Sequence, residues 1–211
     1  MVIVLAGMIG AGKTTYAEKI ADHLNSQIFY ESVDDNPILN DYYQNPKKYA
    51  FALQIHFLNT RFQSIKAAYH DDSNVLDRSI YEDILFTQVN VDNGNISQEE
   101  FAIYLDLLAN MMEELDNLPQ KAPKLLVYLS GSFDHILKKI QYRGRPYEQT
   151  DGNDYLYQYY QQLFSKYDDW FDNYNYSPKL KLNIEDYDLV NQPEDLAAML
   201  NKIDTKLNEI E

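Results

Sequence analysis

The sequence predicts an α/β fold in which helices cover both faces of a five-stranded parallel sheet. Short apolar runs alternate along the chain with segments whose apolar residues recur at helical spacing. The first apolar run leads straight into a glycine-rich turn, as a buried parallel strand often does. No repeat, low-complexity tract or linker interrupts the 211 residues, so we expect a single domain over residues 1–211.

Five short apolar segments are predicted as strands. The first is a continuous apolar run rich in β-branched residues, which is typical of a strand buried on both faces. The predicted strands span residues 2–6, 27–31, 74–77, 124–129 and 180–184. Two of them end on a carboxylate, at Glu31 and at Asp77. Because the carboxyl ends of parallel strands share one edge of the sheet, we expect the ligand site at that edge.

Helical spacing predicts the elements between the strands. The predicted helices span residues 14–24, 46–69, 97–115, 154–174 and 194–210, with a further helix from residue 133 into the segment 140–149. The longest of them has one apolar stripe, formed by Phe51, Ile55, Leu58, Phe62 and Ile65. Ser97 and Glu100 have the spacing of a capping box, which predicts the start of the third helix.

Composition limits the classes of function. A formal net charge of −15 disfavours a nucleic-acid-binding surface, because such a surface needs a basic face. The absence of cysteine excludes disulfides and thiolate metal ligands, and it is typical of a reducing cytoplasm. The apolar start lacks the basic segment of a signal peptide, and no apolar run has the length of a membrane span. We therefore expect a cytoplasmic protein that binds small molecules.

A phosphate-binding motif joins the first predicted strand to the first predicted helix. Residues 7–14 fit the pattern G-x-x-x-x-G-K-[ST] in the strand-to-helix context that the motif requires. Its glycines let backbone N–H groups converge on phosphate, while Lys13 reaches the β- and γ-phosphates and Thr14 binds Mg²⁺. The predicted phosphate-binding residues are Gly7, Gly10, Ala11, Gly12, Lys13, Thr14 and Thr15. The alternative, a glycine turn that only starts a helix, leaves the lysine and the threonine unexplained.

Among proteins that bind ATP or GTP, a small kinase fits the chain best. A GTPase needs an N-K-x-D motif, and residues 201–204 have those letters only inside the last predicted helix. Glu31, at a strand end facing the γ-phosphate site, can orient an acceptor hydroxyl and take its proton. We interpret the neighbouring Asp34 and Asp35 as a solvated acidic loop.

Six segments in sequence order resemble the deoxynucleoside kinase family, in particular its bacterial deoxyadenosine, deoxyguanosine and deoxycytidine kinase branch. They are GMIGAGKTT, ESVDDNP, YYQNPKKYAFALQIHFLNTRF, LDRSIYED, RGRPYEQ and LNIEDYDL. The resemblance implies a P-loop kinase fold with a lid at about residues 139–150. It also implies that Glu31 is the general base for the sugar 5′-hydroxyl. Ser32 departs from the E-P-V sequence that the family usually has.

The resemblance assigns the longest helix to base recognition. Gln54 and Arg61 are seven residues apart and so share a face, although from spacing alone Gln54 could be an ordinary exposed amide. In the family, the arginine matching Arg61 pairs with the acid matching Asp83, and this pair favours a purine or cytosine over thymine. Asp83 is equally an acid favoured at a helix N-terminus. Phe86 is a candidate for stacking on the base but also for the core, and Tyr43 matches a tyrosine that binds the sugar 3′-hydroxyl.

The remaining predicted site residues surround the phosphates. Asp77 ends a buried strand facing the P-loop and suits Mg²⁺, and Arg78 projects into the same cleft toward phosphate and Glu31. In the lid, Arg143 and Arg145 would neutralise charge in a loose transition state.

The lid also supplies an acid and a lysine. By resemblance, Glu148 binds the sugar 3′-hydroxyl, and Lys139 stands where relatives carry a further arginine. The four arginines of the chain, Arg61, Arg78, Arg143 and Arg145, thus all fall at predicted site positions.

These observations predict ATP-dependent phosphorylation of the 5′-hydroxyl of a deoxynucleoside, with Mg²⁺ as cofactor. Deoxyadenosine and deoxyguanosine come first as acceptors, with deoxycytidine as a further candidate, and the resemblance implies a homodimer. Two alternatives stay open: a nucleoside monophosphate kinase of the thymidylate type, and a P-loop protein that binds ATP only to switch a partner. The acids Asp34, Asp35 and Asp41 count against an acceptor that already carries phosphate.

Overall fold

The computed structural model describes residues 2–31, 33, 36–68, 74–116 and 122–210. Five parallel strands form one sheet in the order β2-β3-β1-β4-β5. They are β1 (Ile3–Ala6), β2 (Ile28–Phe29), β3 (Val75–Leu76), β4 (Leu125–Ser130) and β5 (Lys179–Asn183). The predicted five-stranded parallel sheet is confirmed.

Helices connect successive strands. They are α1 (Lys13–Leu24), α2 (Leu39–Gln44), α3 (Pro46–Ala68), α4 (Asp83–Asp92), α5 (Gln98–Asp116), α6 (Phe133–Arg143), α7 (Asp154–Asn173) and α8 (Pro193–Ile210). Three short 3₁₀ turns lie at Ile80–Glu82, Pro146–Glu148 and Ile184–Asp186. Six of these eight helices match the predicted ones within about two residues, whereas α2 and α4 were not predicted. Within the described ranges, no helix has both the length and the apolar composition that crossing a membrane demands.

Both faces of the sheet are buried, as a continuous apolar strand predicts. Along β1 and the residue before it, Ile3 and Leu5 belong to one hydrophobic cluster, and Val2 and Val4 belong to another on the opposite face. The first cluster includes apolar residues of α1, α6, α7 and α8. The second includes residues of α3 and α5, among them all five residues of the predicted α3 stripe.

Strand ends differ from the predictions at the edge that carries the site. β2 was expected over residues 27–31, but only Ile28 and Phe29 pair with β3. The predicted strand at 74–77 is likewise reduced to two residues. Glu31 and Asp77 therefore lie just beyond their strands, in the loops above the sheet edge.

Hydrogen bonds confirm the predicted start of α5. The Ser97 hydroxyl accepts from the N–H of Glu100 at 3.1 Å, and the Glu100 carboxylate accepts from the N–H of Ser97 at 2.8 Å. This reciprocal pair satisfies two backbone donors that the first turn of a helix leaves without partners.

Candidate active site

The P-loop runs from the end of β1 to the start of α1 and needs glycine at two crowded positions. Gly7 has φ +151°, and a Cβ there would lie 2.9 Å from the carbonyl oxygen of Leu129 in β4. Gly10 has φ +83°, and a Cβ there would lie 2.6 Å from Cγ1 of Ile140 in α6. Side chains at either position would force the loop away from the elements that shape it.

The Lys13 ammonium group is buried in this loop. It donates hydrogen bonds to the carbonyl oxygens of Gly7 at 2.7 Å and Met8 at 3.1 Å. Burial and the nearby charge of Arg78 lower the pKa of Lys13 to about 8. A bound phosphate group would oppose this lowering of the pKa, because its negative charge would replace the neutral backbone carbonyls as the partner of the ammonium group.

Thr14 and Asp77, the two residues predicted to hold Mg²⁺, are hydrogen-bonded to each other. The Thr14 hydroxyl donates to Oδ2 of Asp77 at 2.7 Å, and burial raises the pKa of Asp77. Oδ1 of Asp77 is buried and has no hydrogen-bond partner within the described part of the chain. The same part contains no group of three or more His, Cys, Asp or Glu side chains that could hold a metal. A hydroxyl and one carboxylate suit Mg²⁺, which binds through few protein oxygens when phosphates supply others.

Glu31 lies between two arginines at the centre of the site. One of its carboxylate oxygens contacts Nη2 of Arg61 at 2.5 Å and Nε of Arg78 at 3.2 Å. Burial disfavours the charged carboxylate, but the charges of Arg78 and Arg61 outweigh burial and lower the pKa of Glu31 to about 2. Glu31 is therefore ionised across the physiological pH range.

The cleft-facing side of α3 carries the predicted base-binding residues. Gln54 is buried, so it is not the exposed amide that spacing alone permits. Nη1 of Arg61 lies 2.6 Å from Oδ1 of Asp83 in an ion pair, and the Arg61 guanidinium lies 4.8 Å from the centre of the Phe57 ring. Asp83 is the first residue of α4, as the alternative interpretation of a helix N-terminal acid predicts, and its contact with a base stays a prediction. Burial raises the pKa of Asp83 to about 7 against the opposing effect of Arg61.

Phe86 lies one turn after Asp83 and is buried, yet it also lines the cleft. The guanidinium of Arg78 lies over its ring at 4.5 Å from the ring centre. The Phe86 ring thus packs against Arg78, and its contact with the base stays a prediction.

The lid residues meet at a buried carboxylate. Arg143 ends α6 and donates to Glu148, and Nη1 of Arg145 lies 3.5 Å from the same carboxylate. Tyr43 is close by, since burial and then the charges of Tyr160 and Glu148 raise its pKa. The two residues predicted to bind the sugar 3′-hydroxyl, Tyr43 and Glu148, are therefore neighbours.

One cavity of about 340 Å³ joins these groups. Its volume is in the range of small-molecule sites. The predicted residues that line it are Gly10, Gly12, Lys13, Thr14, Glu31, Tyr43, Gln54, Arg61, Asp77, Arg78, Asp83, Phe86, Arg143, Arg145 and Glu148. All four arginines of the chain are among them.

Other predicted residues lie outside this cavity. Thr15 and Lys139 line a separate open cleft that also includes Gly12 and residues 184–190 after β5. Gly7 and Ala11 are buried in the P-loop. Asp41 is exposed on α2, and residues 201–204 lie inside α8 as predicted. Ser32, Asp34 and Asp35 lie outside the described residues.

Sequence reasoning missed Glu82, which is fully buried beneath the P-loop. Its Oε2 accepts from the backbone N–H of Gly7 at 2.9 Å, and its Oε1 lies 3.4 Å from Nη1 of Arg78. The i,i+4 spacing from Arg78 is the signal that could have revealed the ion pair. No local signal points to Gly7, which is 75 residues away in sequence.

Comparisons with known proteins agree over almost the whole chain. The family model described as deoxynucleoside kinase matches residues 3–208. The chain is 52% identical over 209 residues to a deoxyguanosine kinase of Lactobacillus johnsonii, covering 99% of this chain and 93% of that protein. It is 45% identical over 209 residues to a deoxyadenosine kinase of Lactobacillus acidophilus, covering 99% and 97%. A solved structure of deoxyadenosine kinase from M. mycoides with bound dATP has a TM-score of 0.80 and 28% identity, with 97% of this chain and 100% of that chain covered.

Proposed function

Since the chain belongs to the deoxynucleoside kinase family, we propose that it transfers the γ-phosphoryl group of ATP to the 5′-hydroxyl of a purine deoxynucleoside. One observation carries this proposal. A single cavity is lined by the P-loop residues Lys13 and Thr14 and by buried Gln54 and Arg61, and it is also lined by ionised Glu31, which contacts Arg61. A nucleoside in that cavity would present its 5′-hydroxyl near Glu31 when its base contacts α3.

Deoxyguanosine is the proposed first acceptor, with deoxyadenosine second. Guanine offers the acceptors O6 and N7, which suit a guanidinium such as that of Arg61. Its ring N1–H and its exocyclic amino group are donors, which suit the carboxylate of Asp83 beside that guanidinium. The relatives named deoxyguanosine kinase at 52% and 50% identity support this order over the one named deoxyadenosine kinase at 45%.

In the proposed mechanism, Glu31 orients the 5′-hydroxyl and accepts its proton on a carboxylate oxygen. Its low pKa makes it a weak base, which suits a loose transition state in which the hydroxyl loses its proton late. Lys13 and Arg78 would stabilise the charge on the transferred group, together with Arg143 and Arg145 of the lid. Closure of residues 139–150 over ATP would bring the lid arginines to the phosphates.

We propose Thr14 and Asp77 as the residues that hold Mg²⁺. Oδ1 of Asp77 is buried without a hydrogen-bond partner among the described residues, and this oxygen and the adjacent Thr14 hydroxyl support the assignment. When bound with ATP, the ion supplies neutralising charge to the β- and γ-phosphate oxygens.

A homodimer in the cytoplasm completes the proposal. Ile103 on α5 is 58% exposed, although α5 packs beside the sheet, and an apolar side chain of this size suits a helix-to-helix contact between two copies. The absence of cysteine fits a reducing compartment.

Sedimentation tests the proposed dimer. The wild-type protein should sediment as a dimer, and Ile103→Lys should weaken that dimer. A wild-type monomer at micromolar concentration contradicts this part.

An acceptor panel tests the proposed reaction. Release of ADP from Mg²⁺-ATP is measured with each of the four deoxynucleosides and with each of their 5′-monophosphates. We expect turnover with deoxyguanosine and deoxyadenosine and none with monophosphates. Consumption of monophosphates alone would instead identify a nucleoside monophosphate kinase. ADP release that is independent of any acceptor would identify a P-loop protein of another class.

Glu31→Gln tests the proposed general base. We expect kcat to fall by roughly 10²–10⁴-fold with the ATP KM nearly unchanged, because the amide keeps the shape but cannot take the proton. Glu18→Gln makes the same change on the exposed face of α1 and should leave kcat at the wild-type value. Near-normal turnover of Glu31→Gln would remove Glu31 from the mechanism.

A further inference from the structure

We propose that Glu82 is a positioning residue that fixes the start of the P-loop relative to Arg78 and Glu31. The inference rests on the proposed phosphoryl transfer, because its readout is the kcat of that reaction. Glu82 ends the 3₁₀ turn before α4, and none of its surface is exposed. It does not line the cavity, so it acts through the groups that do.

Both backbone polar groups of Gly7 have side-chain partners. Its N–H donates to Oε2 of Glu82 at 2.9 Å. Its carbonyl oxygen accepts from Nζ of Lys13 at 2.7 Å and from Nη1 of Arg78 at 3.0 Å. Because Gly7 is the first residue of the loop, these bonds determine the path by which the chain enters the phosphate site.

Arg78 is shared between two carboxylates. Its Nε lies 3.2 Å from Glu31, and its Nη1 lies 3.4 Å from Glu82. Contacts at two different nitrogens orient the guanidinium plane as a single contact cannot. Removal of the charge on Glu82 would remove one of these two carboxylate contacts, and the guanidinium would turn toward Glu31 and the incoming phosphate.

The negative charge of Glu82 favours a role in positioning over a role in attracting ATP. A buried carboxylate next to the P-loop repels the phosphates, so it does not favour ATP binding. Tyr167 of α7 also lies beside it, since burial and then the charge of Glu82 raise the pKa of Tyr167. A neutral residue of the same shape should therefore bind ATP at least as well as glutamate, but it should transfer the phosphoryl group more slowly.

The variant Glu82→Gln separates these effects. Its amide oxygen still accepts from the Gly7 N–H, but its NH₂ group offers no partner to Arg78. We expect kcat to fall about tenfold, because small displacements of reacting groups reduce rates strongly, while the ATP KM stays equal or decreases. Rates are normalised to the folded fraction, which is measured by thermal unfolding of the same samples.

Two further variants complete the experiment. Glu100→Gln removes a carboxylate that also accepts a backbone N–H, but at the start of α5, and should leave kcat unchanged. In an Arg78→Lys background, Glu82→Gln should cost less than about twofold in kcat, because partners in one network are not additive.

Three results would overturn the inference. They are an unchanged kcat in Glu82→Gln, a loss explained wholly by the folded fraction, and a full tenfold loss in the Arg78→Lys background. If wild-type protein showed no acceptor-dependent ADP release, the proposed function itself would fail. An active wild type with an equally active Glu82→Gln variant would reject only the role of Glu82.

Discussion

The donor and acceptor halves of the cavity are built in different ways. The donor half combines the continuous stretch Gly7 to Thr14, which we propose binds phosphate with backbone N–H groups at a helix N-terminus, with the lid arginines Arg143 and Arg145 that line the same cavity. The acceptor half brings together Glu31, Arg61 and Asp83, which come from three separate parts of the chain. The donor half thus relies on a local backbone loop and on lid side chains near the surface, whereas the acceptor half joins distant residues through buried charged side chains.

This difference determines how much stability the protein should lose when a side chain in each half is substituted. Charged groups removed from water are stable only while their partners remain, so the loss of one arginine leaves carboxylates without compensation. Groups near the surface of the donor half keep access to water, which replaces a lost partner at little cost.

The largest expected effect is on stability, in a comparison of two arginines. Arg61→Met should lower the free energy of unfolding by about 3–5 kcal/mol, because Glu31 and Asp83 then stay buried without the guanidinium that joins them. Arg143→Met should lower it by less than about 1 kcal/mol, because that side chain is 35% exposed and Arg145 remains beside Glu148. Urea denaturation at pH 7 measures both values.

Equal losses of stability in the two variants would contradict the contrast between the halves. Arg143→Met should nevertheless have a lower kcat than the wild type. A position can therefore matter for catalysis although its substitution changes stability little.

Asp83 should affect the acceptor without affecting the donor. We expect Asp83→Asn to raise the deoxynucleoside KM by about tenfold or more, because discrimination by a buried polar group is of this order. The ATP KM should stay within about twofold. Because burial raises the pKa of Asp83 to about 7, protonation below pH 7 should also raise the wild-type deoxynucleoside KM as pH falls from 8 to 6.

Asp83→Asn is the control for this pH dependence, since its amide does not titrate in that range. A deoxynucleoside KM that changes equally with pH in both proteins would assign the titration to another group.

The smallest expected effect is the pH dependence of the donor half. Lys13 is charged below its pKa of about 8 and loses its proton above it. The kcat/KM for ATP should therefore decline above pH 8, by at most about tenfold for each further pH unit. Lys13→Arg should show no such decline up to pH 9, whatever its absolute rate, and a flat wild-type profile would contradict the lowered pKa.

The donor half could be predicted from the sequence, because the P-loop places its glycines, lysine and threonine within eight consecutive residues. The acceptor half could not be predicted from residue spacing alone. Spacing placed Gln54 and Arg61 on one face of a helix, but only the family resemblance identified that face as part of a site. The contact between Arg61 and Glu31 depends on how α3 packs against the sheet edge.

Two helices were missed for physical reasons. α4 contains the β-branched residues Ile84, Thr87, Val89 and Val91, which favour strands, and it is buried on several sides, so no apolar stripe stands out. α2 has six residues, too few to show a helical period. Glu82 was missed because it contacts a residue far along the chain.

Helix α3 has little tolerance for a change in length. Each residue added or removed rotates the following part of a helix by about 100°. The segment from Phe51 to Ile65 packs one side on the core and presents Gln54 and Arg61 from another. A one-residue deletion between Gln54 and Arg61 would carry Arg61 away from Glu31 and move Phe62 and Ile65 off the core together. Homologous sequences should therefore vary in length in the loops around α3 and keep the number of residues between these two positions constant.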